Sequence, residues 1–317
     1  MKPLYMWAGG KNKMLKHYTP HLPAQFKSYV EPFLGGGAMF IWAYENNPAC
    51  ETFHLNDLND GLINIYHAIK TDFPTFIDHL NHHDQTYIAL DGPDKIPTNK
   101  ALEKEHDLGS RRKDWKKIFA KQPSRRHYYF RERDAHAFEY KSMSKTQEAA
   151  LLYFLMKTGF NGVWQENASL DNRFGTPCGL LNQKDTTYDL DNLTAWHNAL
   201  QKCKMTSGDF KKTMTSVGKE SFVFLDPPYR GCFTNYGTQS DDSFQEETIK
   251  YFNDSKQRGA YAMLCNRDIG DSFFEDRKGT NTINRFDVKY TVGRKKKSDS
   301  EVGGFEEAKK AVEVLLT

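Results

Sequence analysis

The chain has 317 residues, 38% hydrophobic and 14% aromatic, with 44 basic against 41 acidic side chains and a formal net charge of +3. That length exceeds what one hydrophobic core usually organises, and the aromatic content excludes a disordered chain. No apolar run approaches the about 20 residues of a membrane span, and residues 1–7 lack a signal-peptide core, so neither a membrane protein nor an exported one is expected.

In chain order, β-type runs are predicted at 29–30 and 52–55, with helices at 38–44 and 61–70 after them. Further runs follow at 222–225, 261–265 and 286–292, with a helix at 246–256 between two of them, so the outer parts of the chain read as an α/β sheet with crossover helices. Residues 286–292 and 311–317 flank a charged, glycine-containing stretch without a crossover helix, which predicts an antiparallel pair at the sheet edge. Residues 71–204 break the pattern. Their polar part, 84–127, reads as an insertion or mobile loop. A helix is predicted over 145–157, where Ala149, Leu152, Tyr153 and Met156 share helical spacing, and 160–164 with 172–177 carry hairpin signals. The expected division is 1–70 with 205–317 as one domain and 71–204 as a second, inserted one.

Arg111, Arg112, Lys113, Lys116, Lys117, Lys121, Arg125 and Arg126 face the single acid Asp114, and 294–297 is also basic. Such runs are either solvated surface or phosphate-binding. Cys50, Cys178, Cys203, Cys232 and Cys265 are scattered, with no Cys-x-x-Cys, and His79, His82 and His83 have no cysteine nearby. Reduced thiols and no metal are expected.

The sharpest motif is Asp226-Pro227-Pro228-Tyr229, directly after the apolar run 222–225. In open α/β sheets ligands bind beyond the carboxyl ends of strands. Two prolines fix two φ angles and remove two donors. The Asp226 carboxylate and the Pro227 carbonyl can then accept from one amino group, and Tyr229 offers a flat face to a ring. A plain proline-rich turn is the alternative. The run Val30-Glu31-Pro32-Phe33-Leu34-Gly35-Gly36-Gly37 is a strand entering a glycine loop, without the phosphate-binding Gly-Lys-Ser/Thr ending or the spaced Gly-x-Gly-x-x-Gly. A nucleoside without phosphates fits it better. Asp57 follows the glycines where an acid would bind ribose hydroxyls. A tight turn remains an equal reading, and Trp7 and Lys11 alone read as a core anchor and a surface charge.

Trp7-Ala8-Gly9-Gly10-Lys11, Glu31 to Gly37, Asn56-Asp57 and Asp226 to Tyr229 together resemble the Dam-type DNA adenine-N6 methyltransferases, and their order resembles the α group. The likeness runs from residue 6 to Glu313-Val314-Leu315-Leu316 and weakens across 84–127. Asp-Pro-Pro-Tyr alone also suits relatives acting on other amino groups. The resemblance implies a class I, Rossmann-like methyltransferase fold: a mixed sheet with an antiparallel C-terminal edge strand, plus an inserted, mainly helical target-recognition domain with a β-hairpin. It implies S-adenosylmethionine as donor, S-adenosylhomocysteine as product, double-stranded DNA as partner and no metal. By analogy Trp7, Ala8, Gly10 and Lys11 line the donor pocket, Glu31, Phe33 and Gly35 meet the methionine side, and Asp57 holds the ribose. Asp209 and Phe210 meet the adenine ring, and Asp226 borders donor and target. Asp226, Pro227, Pro228 and Tyr229 are the expected catalytic turn, acting on a flipped adenine by direct methyl transfer.

For DNA, 160–167 resembles the family's Tyr-Asn-Gly hairpin. Asn161 and Gly162 belong to it, Gln165 and Asn167 are candidate base readers, and Val163 or Trp164 candidate wedges, unless the hairpin is structural with an aromatic anchor. Tyr129 and Arg131 match another contact region loosely, and Arg294 and Lys295 are candidate contacts from the second basic cluster. GATC-type members carry an arginine where this chain has Leu180, so GATC is not the expected site. Arg173 is a candidate substitute. Pro177-Cys178 resembles a cytosine-C5 nucleophile, but its place in the recognition segment rejects that role. An RNA adenine methyltransferase or an inactive DNA-binding relative remain alternatives. The expected setting is the cytoplasm of a bacterium or phage-infected host, as a monomer in solution with a dimer on DNA left open.

Overall fold

The computed structural model describes residues 1–7, 9–90, 114–162, 164–231, 241–289 and 310–317. The expectations placed on Ala8, residues 91–113, Val163, Cys232, Arg294 and Lys295 lie outside the described residues.

A seven-stranded sheet runs in the order β5 (Cys203–Ser207), β2 (Thr52–Asp57), β1 (Ser28–Glu31), β6 (Ser221–Leu225), β7 (Tyr261–Asp268), β9 (Lys310–Leu316) and β8 (Ile283–Lys289). A separate two-stranded ladder joins β3 (Glu166–Asn167) to β4 (Arg173–Phe174). Strand β1 pairs in parallel with β2 and with β6, Val30 lying opposite His54 and Val223, and β6 pairs in parallel with β7. The expected antiparallel edge is present, β9 running against both β7 and β8. Strand β6 is buried along its whole length, which is why 222–225 is an unbroken apolar run and not an alternating one. Strand β5 escaped the sequence reading because Cys203-Lys204-Met205-Thr206-Ser207 is short, polar and only partly buried.

Two compact units divide the chain. Unit 2 comprises Met14–Leu34, Asn47–Leu55 and Phe210–Thr317. Its core joins strand residues such as Val223, Leu225, Leu264 and Val314 to Ile249 and Phe252 of the helix Asp242–Gln257. A buried polar contact lies within it, the Tyr18 hydroxyl donating to the Glu313 carboxylate.

Unit 1 comprises Met1–Lys13, Gly35–Asn46 and Asn56–Asp209, so it holds all of 71–204 and more. The helix Lys145–Thr158 packs against the helices Asp60–Thr71, Phe73–Ile88 and Arg125–Phe138. Its start is closed by a capping box in which Ser144 Oγ accepts from the Gln147 N–H and Gln147 Oε1 accepts from the Ser144 N–H. Ala149, Leu152, Tyr153 and Met156 are buried as expected, but so are Ala150, Leu151, Phe154 and Leu155. Neighbours surround the helix on more than one face. His83 stacks on Phe154 with ring centroids 5.5 Å apart, and a ring nitrogen lies 3.0 Å from the Tyr128 hydroxyl. Burial lowers its pKa from 6.5 to about 3, keeping the ring neutral.

The basic segment 84–127 is not uniformly an exposed loop. Arg125 is buried and donates to five backbone carbonyls, those of Tyr87, Ile88, Leu90, Leu181 and Gln183, with its guanidinium 4.9 Å from the Tyr87 ring centre. It therefore ties the end of the helix Phe73–Ile88 to the segment around Leu181 and is not a phosphate contact. Arg125→Ala would leave several buried carbonyls without their donor, and we expect a loss of about 3 kcal/mol or more in urea unfolding. Arg125→Lys should recover little of it, because an ammonium cannot reproduce the planar fork.

Candidate active site

In unit 2 the parallel strands β1 and β6 end beside one another, and both are followed by candidate site residues. Asp226 emerges half-buried from β6, followed by a buried Pro227 and half-buried Pro228 and Tyr229. The Cys265 thiol lies 3.3 Å from Asp226 Oδ1 and 3.3 Å from the Leu225 carbonyl. Gln245 Nε2 donates to the Pro228 carbonyl at 2.8 Å. The next residue, Arg230, is buried, with its guanidinium paired to Asp242 and Asp271 and lying 4.0 Å from the Phe273 ring centre. Burial pushes the Tyr229 phenol well above its ordinary pKa, and the neighbouring Cys265 and Asp226 add to the shift. Tyr229 therefore remains a neutral hydroxyl and is not a proton acceptor.

Around the end of β1, Glu31 is buried and accepts a 2.9 Å hydrogen bond from the Tyr29 hydroxyl. Phe33 is half-buried against Phe210 at a centroid distance of 5.1 Å. Phe210, expected to meet an adenine ring, is 6% exposed and packs on Phe33, Phe244 and Tyr251. Most of its surface supports the core, and Phe33 and Phe244 are the half-buried rings of the cluster.

In unit 1 the glycine loop is held by Asp57. The Gly35 N–H donates to Asp57 Oδ2 at 2.8 Å, and the Asn59 N–H donates to Oδ1 at 3.0 Å. Asp57 is half-exposed. Gly35 has φ +49°, and a Cβ there would fall 2.6 Å from Trp7 Nε1. Glycine is thus required both for the left-handed turn and for the close approach of the indole. Next to Asp57, the buried Asn56 donates to the Gly208 carbonyl at 3.0 Å and accepts from the Thr206 hydroxyl, while Asp209 is exposed. Lys11 is buried rather than a surface charge, its ammonium donating to the Gly9 carbonyl at 2.8 Å, and the Gly10 N–H donates to the Trp7 carbonyl. A ladder of fixed carboxylate, indole and bare backbone suits a nucleoside.

Residues 7–289 match the D12 class N6 adenine-specific DNA methyltransferase family, a span that takes in all of these loops. The chain belongs to this family. It is similar to the type II methyltransferase M.MjaIII of Methanocaldococcus jannaschii, 27% identical over 84% of this chain and 84% of that protein. It is also similar to the type II methyltransferase M1.LlaDCHI of Lactococcus lactis subsp. cremoris, 25% identical over 95% and 93% of the two chains. The DNA adenine methylase of Haemophilus influenzae is 24% identical over 92% and 81%. As a D12 enzyme the chain methylates adenine N6 in DNA, and its family implies S-adenosylmethionine as donor and the class I methyltransferase fold that the sheet displays. The donor chemistry fits the residues of unit 1, where a carboxylate that could take a diol and an indole flank the glycine loop.

The expected DNA-contacting residues of unit 1 separate into two groups. Tyr129 is wholly buried and its hydroxyl donates to the Thr176 carbonyl at 2.9 Å, so it cannot touch DNA. Arg131 is paired to Glu132 and stacked over Phe119 and Tyr128 at 4.3 and 4.6 Å. Arg173 lies 3.6 Å over the Tyr140 ring and pairs with the buried Glu148, which removes it as the substitute guanine reader. Trp164 is 8% exposed and packs on Trp7 and Phe174, so it anchors the segment and does not serve as a wedge. Gly162 is buried, and a Cβ there would lie 2.4 Å from Met6 Cβ. Asn167 accepts from the Ser169 N–H and hydroxyl through Oδ1. Asn161 and Gln165 remain exposed, and Leu180 is 74% exposed. Sequence reasoning passed over Phe160, which is 49% exposed and whose N–H donates to the Pro177 carbonyl; the signal was its place at the tyrosine of the family's Tyr-Asn-Gly. Burial raises the pKa of the Cys178 thiol, the reverse of what a cysteine nucleophile requires.

Gly35→Ala should weaken S-adenosylmethionine binding by about 10-fold, since an L side chain in the left-handed region costs roughly 1–2 kcal/mol before any clash with Trp7. DNA affinity measured by anisotropy without donor should stay the same.

Proposed function

We propose that Asp226, Pro227, Pro228 and Tyr229 receive an adenine turned out of double-stranded DNA and prepare its amino group for methylation. One observation carries the reading. A half-buried aspartate leaves a fully buried central strand and is followed by two residues without N–H groups, the second of which has its carbonyl held by Gln245. Adenine N6 is a weak nucleophile because its lone pair is delocalised into the ring. When the Asp226 carboxylate and the Pro227 carbonyl accept its two hydrogens, the nitrogen is drawn toward a pyramidal shape and the lone pair is localised. When bound, S-adenosylmethionine supplies an electrophilic methyl group on its sulfonium. Placement and electrostatics then account for most of the acceleration, and no side chain needs to form a covalent intermediate.

Turning the base out costs a few kcal/mol, roughly 1–3 of which stacking on Tyr229 would recover. For the donor, Asp57 would accept from ribose hydroxyls, Trp7, Gly10 and Lys11 would shape its pocket in unit 1, and Asp209 would meet its adenine end. On the DNA side, exposed Asn161 and Gln165 would read base edges, and exposed Phe160 would take the wedge role that buried Trp164 cannot. Lys121 is exposed and suits a phosphate, which holds DNA without reading it, whereas Lys116 and Lys117 are paired with Glu139 and Asp114. Leu180 cannot form the paired hydrogen bonds of an arginine with guanine, so the target differs from GATC or is relaxed.

Asp226→Ala should lower the turnover number by about 1000-fold with folding intact, measured as label transfer from the donor to DNA; normal turnover would remove the assigned role. Leu180→Arg should raise guanine preference near the target by roughly 10-fold or more, read by mapping methylated adenines in a random DNA library. An unchanged profile would show that residue 180 does not face a base.

A further inference from the structure

We propose that Gln245 and Asn266 are positioning residues for the target-base turn, clamping its backbone on both sides of Tyr229; this rests on reading Asp226 to Tyr229 as the adenine site. Both side chains are wholly buried. Gln245 stands in the first turns of the helix Asp242–Gln257, and its Nε2 donates to the Pro228 carbonyl at 2.8 Å. Asn266, on β7, donates from Nδ2 to Gln245 Oε1 at 2.7 Å. Asn266 Oδ1 in turn accepts the backbone N–H of Arg230 at 3.0 Å and of Arg267 at 2.8 Å. These bonds form one continuous line from the carbonyl before Tyr229 to the amide after it.

The chemistry demands this pair. A carboxamide donates and accepts at once, so two in series can join a carbonyl to an N–H without a charge in the interior. The proline rings already fix φ at 227 and 228. What freedom remains for the Tyr229 ring lies in ψ of Pro228 and in the torsions of Tyr229 itself, and the two clamped peptide groups restrain these. Arg230 reinforces the far side, pairing with Asp242 of the same helix and with Asp271. The peptide groups on both sides of Tyr229 are thereby held by side chains that are themselves wholly buried.

Gln245→Met keeps the side-chain volume and deletes both of its hydrogen bonds. Asn266→Asp keeps the shape and the acceptor for Arg230, and deletes the donor to Gln245. Each purified variant is tested for steady-state kinetics, donor binding by calorimetry and fluorescence of 2-aminopurine placed at the target position. We expect kcat to fall by about 100-fold, the donor dissociation constant to stay within about twofold and the 2-aminopurine signal to change. The double variant should be no worse than the weaker single one, because the bonds act in series. Unchanged kcat in a folded variant, a loss confined to donor affinity, or failure of both variants to fold would overturn the proposal. Asp226→Ala, assayed in parallel, separates the two claims. An active Asp226→Ala removes the underlying reading, whereas an inactive one beside fully active Gln245 and Asn266 variants removes only this inference.

Discussion

The parallel pairing of β1 with β2 and with β6 is the constraint from which the site follows. Parallel strands end on a common edge, and there the ladder stops and the backbone must find other partners. Different solutions appear at different strand ends. After β1 the chain uses glycines, and the Gly35 N–H is taken up by the Asp57 carboxylate at the end of β2. After β6 it uses prolines, which have no N–H to satisfy. The first leaves bare backbone beside an acid, the second a row of acceptors beside an acid. In the proposed function one receives a nucleoside and the other an amino group, so the two proposed chemistries follow from how two strand ends are closed.

Buried polar side chains repeatedly fasten loops that strands and helices cannot hold. Arg125 gathers five carbonyls in unit 1. Arg230, Gln245 and Asn266 do comparable work around the turn in unit 2. Burying such groups is costly unless every partner is present, and once every partner is present the arrangement is stiff. That stiffness is useful beside a reacting group, where small displacements lower the rate steeply.

In unit 1 the same economy removes cations and aromatics from DNA contact. Arg131 and Arg173 are neutralised by Glu132 and Glu148 and covered by rings, and Trp164 fills space between Trp7 and Phe174. Of the described residues considered for DNA in the 160–180 segment, Asn161, Gln165, Phe160 and Leu180 lie at the surface. Under the proposed function, base reading by this unit would fall to amides and apolar side chains.

The sequence alone determined the glycine loop after the first strand, the apolar centre at 222–225, the antiparallel edge and the family, because these depend on local pattern: a continuous apolar run, a missing crossover helix, prolines and glycines at fixed offsets. It could not show that Arg125 is buried, that Lys11 turns inward, that Tyr129 and Trp164 are anchors, or that Gln245 and Asn266 meet behind Tyr229. A lone Arg, Gln or Asn has the same local signature whether solvated or enclosed. Its role depends on partners 20 to 60 residues away in the chain, such as Gln245 with Asn266 at a separation of 21 and Arg125 with Gln183 at 58, and only packing in three dimensions brings such partners within hydrogen-bonding distance.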